Sequence, residues 1–264
     1  MLSQLDIAES VRREVAPRIA QKRKSEFGQF MTPAGVARFM ASLFPTKTLQ
    51  TCRLLDPGAG VGALSCAFLD RLVTGGLHFE RVEVSAFEID ATLRAYLQRT
   101  LTSYTARLAV QPRIVAGDFI EHAVRESLQG QSGYTHAILN PPYKKINSNS
   151  RHRLELRRVG IETVNLYSAF VALALGRLAP GGQLVAIIPR SFCNGPYYRP
   201  FRDFVFGVLA VVYVIARTTR FAAEDEIEIS DPWGHKRRVK LTPEMTADQR
   251  EAAIQDEIRK LPIG

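Results

Sequence analysis

The chain has 264 residues, and 46% of them are hydrophobic, which suits one large domain with a buried core and excludes a disordered tail. Lys and Arg outnumber Asp and Glu by 35 to 26, so the net charge of +9 favours a polyanionic partner such as DNA or RNA. The longest apolar run, residues 205–216, is shorter than the ~20 residues of a membrane helix. The chain shows neither a secretory signal nor metal-type cysteine spacing. We therefore expect a cytoplasmic protein without a bound metal.

Residues 1–50 are predicted to form two helices that pack on the domain that follows. A first helix is indicated by apolar residues at roughly helical spacing, namely Leu5, Val11, Val15 and Ile19. After a loop over residues 28–33, a second helix is predicted from Ala34 to Phe44, with Thr32 as its N-cap and Pro33 as its first helical residue.

From residue 53 onward, short apolar runs typical of strands alternate with helical patterns, which indicates βαβ units. The predicted strands are 54–56, 82–88, 113–116, 136–139, 183–188 and 209–215. The predicted helices are 62–73, 91–101, 165–178 and 197–207. We therefore expect an α/β fold with a doubly wound, mostly parallel sheet and helices on both faces.

The composition changes after about residue 222, so residues 223–264 are predicted to be peripheral. Residues 233–238 form a basic, turn-like segment, and Thr242-Pro243 is expected to open a charged helix through Leu261. The apolar face of this helix is thin, which leaves open a partner contact or a solvated end.

Residues 56–62 follow a short apolar strand and open a helix, which is typical of a loop where a ligand approaches the backbone. Gly58, Gly60 and Gly62 fall at every second position, unlike the G-x-G-x-x-G spacing that pyrophosphate binding requires. The lysine of a phosphate-binding loop is also absent. Tight packing of a first turn remains an alternative explanation.

Acidic residues also follow the next two strands. Glu88 can accept the hydroxyl hydrogens of a ribose, with Ile89 offering apolar contact to an adenine ring. Asp118 can accept an adenine amino group, with Phe119 against the ring face. Each carboxylate could equally cap a helix or a turn, but three ligand-like strand ends on one edge of the sheet favour a nucleoside site.

Asn140, Pro141, Pro142 and Tyr143 directly follow the apolar run 137–139. Because Asn140 and Pro141 each precede a proline, both are expected to be extended, and the two prolines are fixed in φ. Such a stiff bend can present the Asn140 side-chain oxygen and the Pro141 carbonyl to both N–H bonds of a planar amino group. Tyr143 offers an aromatic face for stacking. A polar turn whose asparagine caps a strand end is the alternative.

A basic segment follows this tetrapeptide, with six basic residues and a single acid, Glu155, between residues 144 and 158. Its charge favours a mobile loop that binds phosphate, although a solvated surface loop has the same composition. The candidates for binding nucleic acid are Lys144, Lys145, Arg157 and Arg158.

In their order, the glycine loop, Glu88, Asp118-Phe119 and Asn140 to Tyr143 resemble the N6-adenine DNA methyltransferases of restriction–modification systems, in the class whose cofactor motifs precede the catalytic motif. The Eco57I-like branch is the one that the chain resembles, from about Gly28 to Phe221. The resemblance implies a Rossmann-like class I methyltransferase fold with a seven-stranded sheet in residues 51–222. It also implies S-adenosyl-L-methionine as the cofactor.

The resemblance carries roles over to individual residues. It places the methionine part of the cofactor on Thr32, Asp56, Gly58 and Gly60, its ribose on Glu88, and its adenine on Asp118 and Phe119. It places the target base on Asn140, Pro141 and Tyr143, with Phe221 as a second aromatic contact.

The implied activity is methylation of the adenine N6 amino group in double-stranded DNA, with the base flipped out of the helix. The same tetrapeptide also occurs in enzymes that methylate RNA bases or protein glutamine, and a non-catalytic subunit that keeps the cofactor pocket is a further alternative. A target-recognition region is not evident beyond Phe221, so we expect either a separate specificity subunit or a missing recognition domain.

Overall fold

The computed structural model describes the chain between residues 3 and 260, with gaps. The described residues are 3–27, 31–46, 48–130, 133–189, 192, 198–208, 214–217, 225–230, 236–241, 245, 249, 252–253, 256–257 and 260. The helices are α1 (Gln4–Phe27), α2 (Ala34–Ser42), α3 (Ala63–Val73), α4 (Ala91–Thr102), α5 (Phe119–Leu128), α6 (Arg151–Arg158), α7 (Leu166–Leu175) and α8 (Arg199–Val208). The strands are β1 (Thr48–Pro57), β2 (His78–Glu88), β3 (Val110–Ala116), β4 (Tyr134–Leu139), β5 (Leu178–Ala186), β6 (Val214–Arg217), β7 (Asp225–Ser230) and β8 (Lys236–Leu241).

Five strands form a parallel sheet in the order β3-β2-β1-β4-β5. Successive side chains of a strand point to opposite faces, so neighbouring residues of β1 enter different cores. Leu54 packs in a core with residues of α1 to α4, whereas Leu55 packs in a second core with residues of α5 to α8. Helices therefore cover both faces, as a parallel sheet rich in apolar residues requires.

The strand order reverses at β1, because the chain places β2 and β3 on one side of it and β4 and β5 on the other. Leu54 and Leu55 of β1 pair with His136 and Ala137 of β4. In open parallel sheets, ligands bind beyond the carboxyl ends of the strands where the order reverses. The glycine loop after β1 and Asn140 after β4 therefore lie on the two sides of this crevice.

The predicted α/β fold with a doubly wound parallel sheet is confirmed, but the predicted count of seven strands is not, since the described residues give five. Residues 209–213 of the predicted strand 209–215 lie outside the described residues. The strand β6 pairs antiparallel with β7, in a second sheet that β8 completes. No helix in the described ranges is long and apolar enough to cross a membrane.

Three further predictions from the sequence differ from the structure. The basic turn predicted for 233–238 does not reach its end, because Lys236 begins β8, whose backbone pairs with β7. The helix α5 was missed, although Asp118 is its N-cap and accepts two backbone N–H bonds. The loop predicted for 144–158 is helical from Arg151, since Ser150 caps α6. Of the described residues of the predicted C-terminal helix, 249, 252–253 and 256–257 are helical, whereas 245 and 260 are not.

Candidate active site

The chain leaves β1 through a loop whose path depends on glycine. Gly58 and Gly60 have φ values of 78° and 60°, a left-handed conformation that glycine adopts without steric cost. The N–H groups of Gly58 and Ala59 donate to the carbonyl of Phe87 at 2.9 and 2.8 Å, which fixes the loop on β2. A Cβ atom at Gly60 would have nothing within 4 Å. The loop thus presents open backbone at the end of β1.

Asp56 lies in β1 directly before this loop and is fully buried. Its Oδ2 accepts a hydrogen bond from the Ser65 hydroxyl at 2.6 Å, while its Oδ1 has no hydrogen-bond partner among the described residues. Burial raises the pKa of Asp56 to about 7, and the bond from Ser65 opposes this shift only in part. A cation next to the side chain would stabilise its ionised form, so this position suits the positively charged group of a ligand.

Glu88 ends β2 beside the same loop and is 2% exposed. One of its oxygens accepts the N–H of Gly60 at 2.8 Å, and the other accepts the N–H of Asp90 at 2.8 Å. The carboxylate therefore ties the glycine loop to the end of β2, a role that the sequence did not reveal. A carboxylate oxygen can accept more than one hydrogen bond, so a ligand hydroxyl can also bind at this position. The neighbouring Ile89 is 42% exposed, so its side chain is open to a ring placed beside it.

Asp118 is engaged by the protein itself. Its Oδ1 accepts the N–H of Ile120 at 2.8 Å and that of Glu121 at 3.3 Å, and its Oδ2 lies 3.0 Å from Nε2 of His152 in α6. Although burial opposes the shift, the bond with His152 holds the pKa of Asp118 below its usual range, and the same bond raises the pKa of His152. An adenine amino group at Asp118 would therefore share the carboxylate with His152.

Phe119 does not line the crevice as the sequence suggested. The ring is 3% exposed and lies between Phe87 and Phe170, with centroid distances of 5.1 and 5.0 Å. Because burying an aromatic ring in the core is strongly favourable, Phe119 packs inward at the start of α5. Its face is not available to an adenine in this conformation.

Asn140 follows β4 on the other side of the crevice. Its Nδ2 donates to Oγ1 of Thr32 at 3.1 Å, and its Oδ1 accepts from the Tyr143 hydroxyl at 2.8 Å. That hydroxyl also lies 3.0 Å from the carbonyl of Ile187, just after β5. Partial burial raises the pKa of Tyr143 to about 12, so the phenol is neutral and can donate. The Asn140 amide is thus held from both ends.

Exposure increases from Pro141 to Tyr143. Pro141 is buried, Pro142 is half-buried and Tyr143 is 37% exposed. The ring of Tyr143 meets that of Tyr167 in α7 edge to face, with a centroid distance of 6.3 Å. The bend is therefore anchored in the protein at its first proline and presents its tyrosine to the crevice.

Thr32 lies against Asn140 because another residue caps α2. The sequence predicted Thr32 as the N-cap, but the N-cap is Pro33, without a side-chain hydrogen bond. The N–H of Ala34 donates instead to Oε2 of Glu9 in α1, at 3.1 Å. Thr32, which is 6% exposed, therefore contacts Asn140 through its hydroxyl.

The basic segment carries less free charge than its composition predicted, because four of its arginines have acidic partners. The ion pairs are Arg151 with Glu121, Arg153 and Arg157 with Glu162, and Arg158 with Glu155. Lys144 and Lys145 are exposed immediately after the tetrapeptide. The candidate aromatic residue Phe221 lies outside the described residues.

Three side chains at the site were not found by sequence reasoning, namely Ser65, His152 and Tyr167. Each meets its partner only through the fold, since Ser65 is 9 residues from Asp56 and His152 is 34 residues from Asp118. The N-cap signal of Ser150 was the one local clue, because it places His152 in the first turn of α6.

Comparison with known proteins gives several similarities. Residues 88–212 match the family described as Eco57I restriction-modification methylase. The chain is 45% identical to the Type II methyltransferase M.BsuBI of Bacillus subtilis, over 79% of this chain and 42% of that protein. It is 39% identical to the Type II methyltransferase M.PstI of Providencia stuartii, over 74% of this chain and 39% of that protein. The matched part of the chain thus spans about two fifths of the length of these relatives.

Among solved structures, the chain superposes on a Listeria monocytogenes protein described as a class I S-adenosylmethionine-dependent methyltransferase, with a TM-score of 0.64. The superposition covers 97% of this chain and 79% of the Listeria chain at 13% sequence identity. This likeness concerns the fold.

Proposed function

We propose that this chain transfers the methyl group of S-adenosyl-L-methionine to the N6 amino group of adenine in DNA, within a restriction–modification or related defence system. The match of residues 88–212 to the Eco57I restriction-modification methylase family supports this proposal, as does the similarity to two Type II methyltransferases. The placement of Asn140 supports this most directly. Its amide oxygen lies across the reversal point of the sheet from the open glycine loop, so an amine acceptor and a cofactor loop share one crevice.

The residues around the glycine loop fit S-adenosyl-L-methionine. The ammonium group of its methionine part would supply a cation next to the buried Asp56, and Gly60 leaves room for it at the backbone, where a Cβ atom would have nothing within 4 Å. Gly58 would line the same part of the ligand, beside Phe170, which a Cβ atom at this position would meet at 3.7 Å. Glu88 would accept ribose hydroxyls, because a carboxylate oxygen can accept more than one hydrogen bond, and the exposed Ile89 would pack on the adenine. When bound, the cofactor supplies an activated methyl group on its sulfonium.

We also propose cofactor contacts for Thr32 and Asp118, each of which already has a hydrogen-bond partner in the structure. Thr32 reaches the methionine carboxylate through the proton of the hydroxyl whose oxygen accepts from Asn140. Asp118 binds the adenine amino group alongside or in place of His152, and Phe119 supports this position from the core instead of contacting the ring.

The protein activates the target by holding its amino group. The side-chain oxygen of Asn140 and the carbonyl of Pro141 accept the two N–H bonds, which localises the lone pair on nitrogen for attack on the methyl group. The new N–C bond would replace the methyl–sulfur bond, so the cofactor would leave as a neutral thioether and the methylated amine would lose one proton to solvent. Pro142 keeps the backbone extended at this point. Most of the rate enhancement then comes from positioning, without a covalent bond to the protein.

The target adenine leaves the duplex before it reacts, because its amino group is otherwise paired. Flipping costs a few kcal/mol, and stacking on the exposed ring of Tyr143 offsets part of this. Phosphate contacts are proposed for the basic segment, at Lys144, Lys145, Arg157 and Arg158, with Phe221 as a second aromatic contact for the flipped base. The reaction takes place in the cytoplasm, where the DNA of the cell is accessible.

The replacement Asn140→Ala tests the amine-holding role. Transfer of tritiated methyl groups to unmethylated DNA should fall about 10²-fold or more, as on removing one preorganised catalytic hydrogen bond, while calorimetry should give unchanged cofactor affinity. The exposed Asn147→Ala, in the segment that follows, is the matched control and should retain full activity. Retained turnover in the Asn140 variant would rule out the proposed role, and label that enters RNA or protein glutamine instead of DNA would change the substrate class.

Recognition of a particular DNA sequence is proposed to need a separate specificity subunit or a recognition domain, since the curated relatives extend well beyond the matched region. We propose residues 1–50 as a cofactor-binding N-terminal part, 51–222 as the catalytic domain and 223–264 as peripheral. Modification-sensitive sequencing of DNA from cells that express this chain alone would give the modified base and its site together. Methylation at a defined sequence by the chain alone would contradict the need for a partner.

A further inference from the structure

We propose that Thr32 is a positioning residue that fixes the side-chain amide of Asn140 with its oxygen towards the target amine. This inference rests on the function proposed above and adds a role to Thr32 besides cofactor contact. The two residues lie 108 positions apart in the sequence and meet at 3.1 Å between Nδ2 and Oγ1. The contact is part-buried, and Thr32 itself is 6% exposed.

An asparagine amide is useful for holding an amine in only one of its two orientations. Its oxygen accepts N–H bonds, whereas its nitrogen only donates, so an amide rotated by half a turn would repel the target amine. In the structure, the nitrogen faces the Thr32 hydroxyl and the oxygen faces the Tyr143 hydroxyl. Both hydrogen bonds are thus made with the amide in the orientation that the reaction needs.

The Tyr143 bond cannot hold this orientation throughout the reaction. Tyr143 donates to the same oxygen that the target amine would approach, and its ring is the surface on which the base would stack. When the base enters, the tyrosine bond is shared or lost. The bond from Asn140 to Thr32 lies at the opposite end of the amide and is compatible with a bound base, so it can keep the oxygen directed towards the target amine.

The fold keeps the Thr32 hydroxyl available for this task. A threonine directly before Pro33 and a helix would ordinarily cap that helix. Here Glu9 of α1 accepts the first free N–H of α2, from Ala34, at 3.1 Å. Thr32 makes no capping bond to α2, and its oxygen accepts from Asn140.

The variants Thr32→Val and Thr32→Ser separate positioning from cofactor binding. Valine has the shape of threonine without the acceptor, so turnover at saturating cofactor should fall about tenfold, as expected for one lost hydrogen bond. Serine keeps the hydroxyl and should stay within about twofold of the unaltered protein. A valine variant that only weakens cofactor affinity, with unchanged turnover at saturation, overturns the proposal, and so does a serine variant that behaves like valine.

A second measurement does not depend on activity. The side-chain NH2 signals of Asn140 in a nitrogen–proton NMR spectrum are identified by their loss in Asn140→Asp, and their exchange with water is then compared. Exchange should be about fivefold faster in Thr32→Val than in the unaltered protein or Thr32→Ser. Equal exchange rates overturn the proposal. If the unaltered chain methylates no acceptor, the proposed function fails, while the exchange rates still decide whether Thr32 holds the amide.

Discussion

Replacing Asp56 by Asn should remove a pH dependence of stability that this one buried side chain imposes. Burial raises the pKa of Asp56 from 3.8 to about 7 in the folded protein. Between these two values the folded state binds the proton more tightly than the unfolded state, so the free energy of unfolding falls as the pH rises from about 4 to about 7. At ~1.36 kcal/mol per pKa unit, a shift of this size amounts to about 4 kcal/mol above pH 7.

Urea unfolding at pH 5 and pH 8 measures the effect without a cofactor present. The unaltered protein should lose roughly 2–3 kcal/mol more than Asp56→Asn between these two pH values, because the pH range spans only part of the shift. The comparison uses the change with pH in each protein, so a constant cost of placing an amide in the buried site cancels. Parallel pH profiles of the two proteins would refute the assignment of a raised pKa to Asp56.

Ser65→Ala provides the matched control for the same reasoning. This variant keeps the ionisable group but removes the hydroxyl bond that lowers the pKa of Asp56. The fall in stability should then extend to higher pH than in the unaltered protein. If the fall ended at the same pH, the hydrogen bond from Ser65 would have no influence on the carboxyl group.

Three further outcomes are expected. In urea unfolding, Gly62→Ala should lower the free energy of unfolding by about 1–2 kcal/mol more than Gly75→Ala does. Both glycines have a positive φ, 90° and 78°, but only at Gly62 would a Cβ atom meet a side-chain atom, at 2.9 Å. Equal losses would contradict the close contact. NMR titration should give His152 a pKa above 6.5, which Asp118→Asn lowers. While Asp118 is ionised, the stabilisation from protonated His152 is fully present below pH 6.5 and is lost as the pH rises through the raised pKa. A titration unaffected by Asp118→Asn would contradict the pairing. Glu162→Gln should strengthen binding to DNA of any sequence and steepen the salt dependence of that binding, as measured by fluorescence anisotropy, because two arginines lose their acidic partner. Unchanged salt dependence would exclude these arginines from phosphate contact.

The sequence predicted the parallel sheet well because the information for it is local. Each strand of such a sheet is a short apolar run, and the residues that end the runs meet at one edge once the connections are helical. Asp56, Glu88 and Asn140 each follow or end such an apolar run, and the structure puts all three at carboxyl ends of adjacent strands.

What the sequence did not predict depends on residues that are distant along the chain. Thr32 has every local property of an N-cap, and only the arrival of Glu9 from α1 removes that role. Lys236 sits in a basic segment typical of a turn, but pairing with β7 makes it the start of a strand. The charge of the arginine at position 157 is offset by Glu162, which a count of residues 144–158 leaves out. In each case a tertiary partner outweighs local propensity.

The hydroxyl of Tyr143 makes the hydrogen bond to Asn140 that the proposed function assigns to the target base. By donating to Oδ1 of Asn140, it occupies the acceptor that the proposed function assigns to an N–H group of the target base. Arrival of a base is then an exchange of one donor for another, so the hydrogen bond itself adds little net affinity. Selection between a base that carries an exocyclic amine and one that does not must come mainly from the reactive geometry, while tightness of binding follows from ring overlap and contacts to the sugar-phosphate chain.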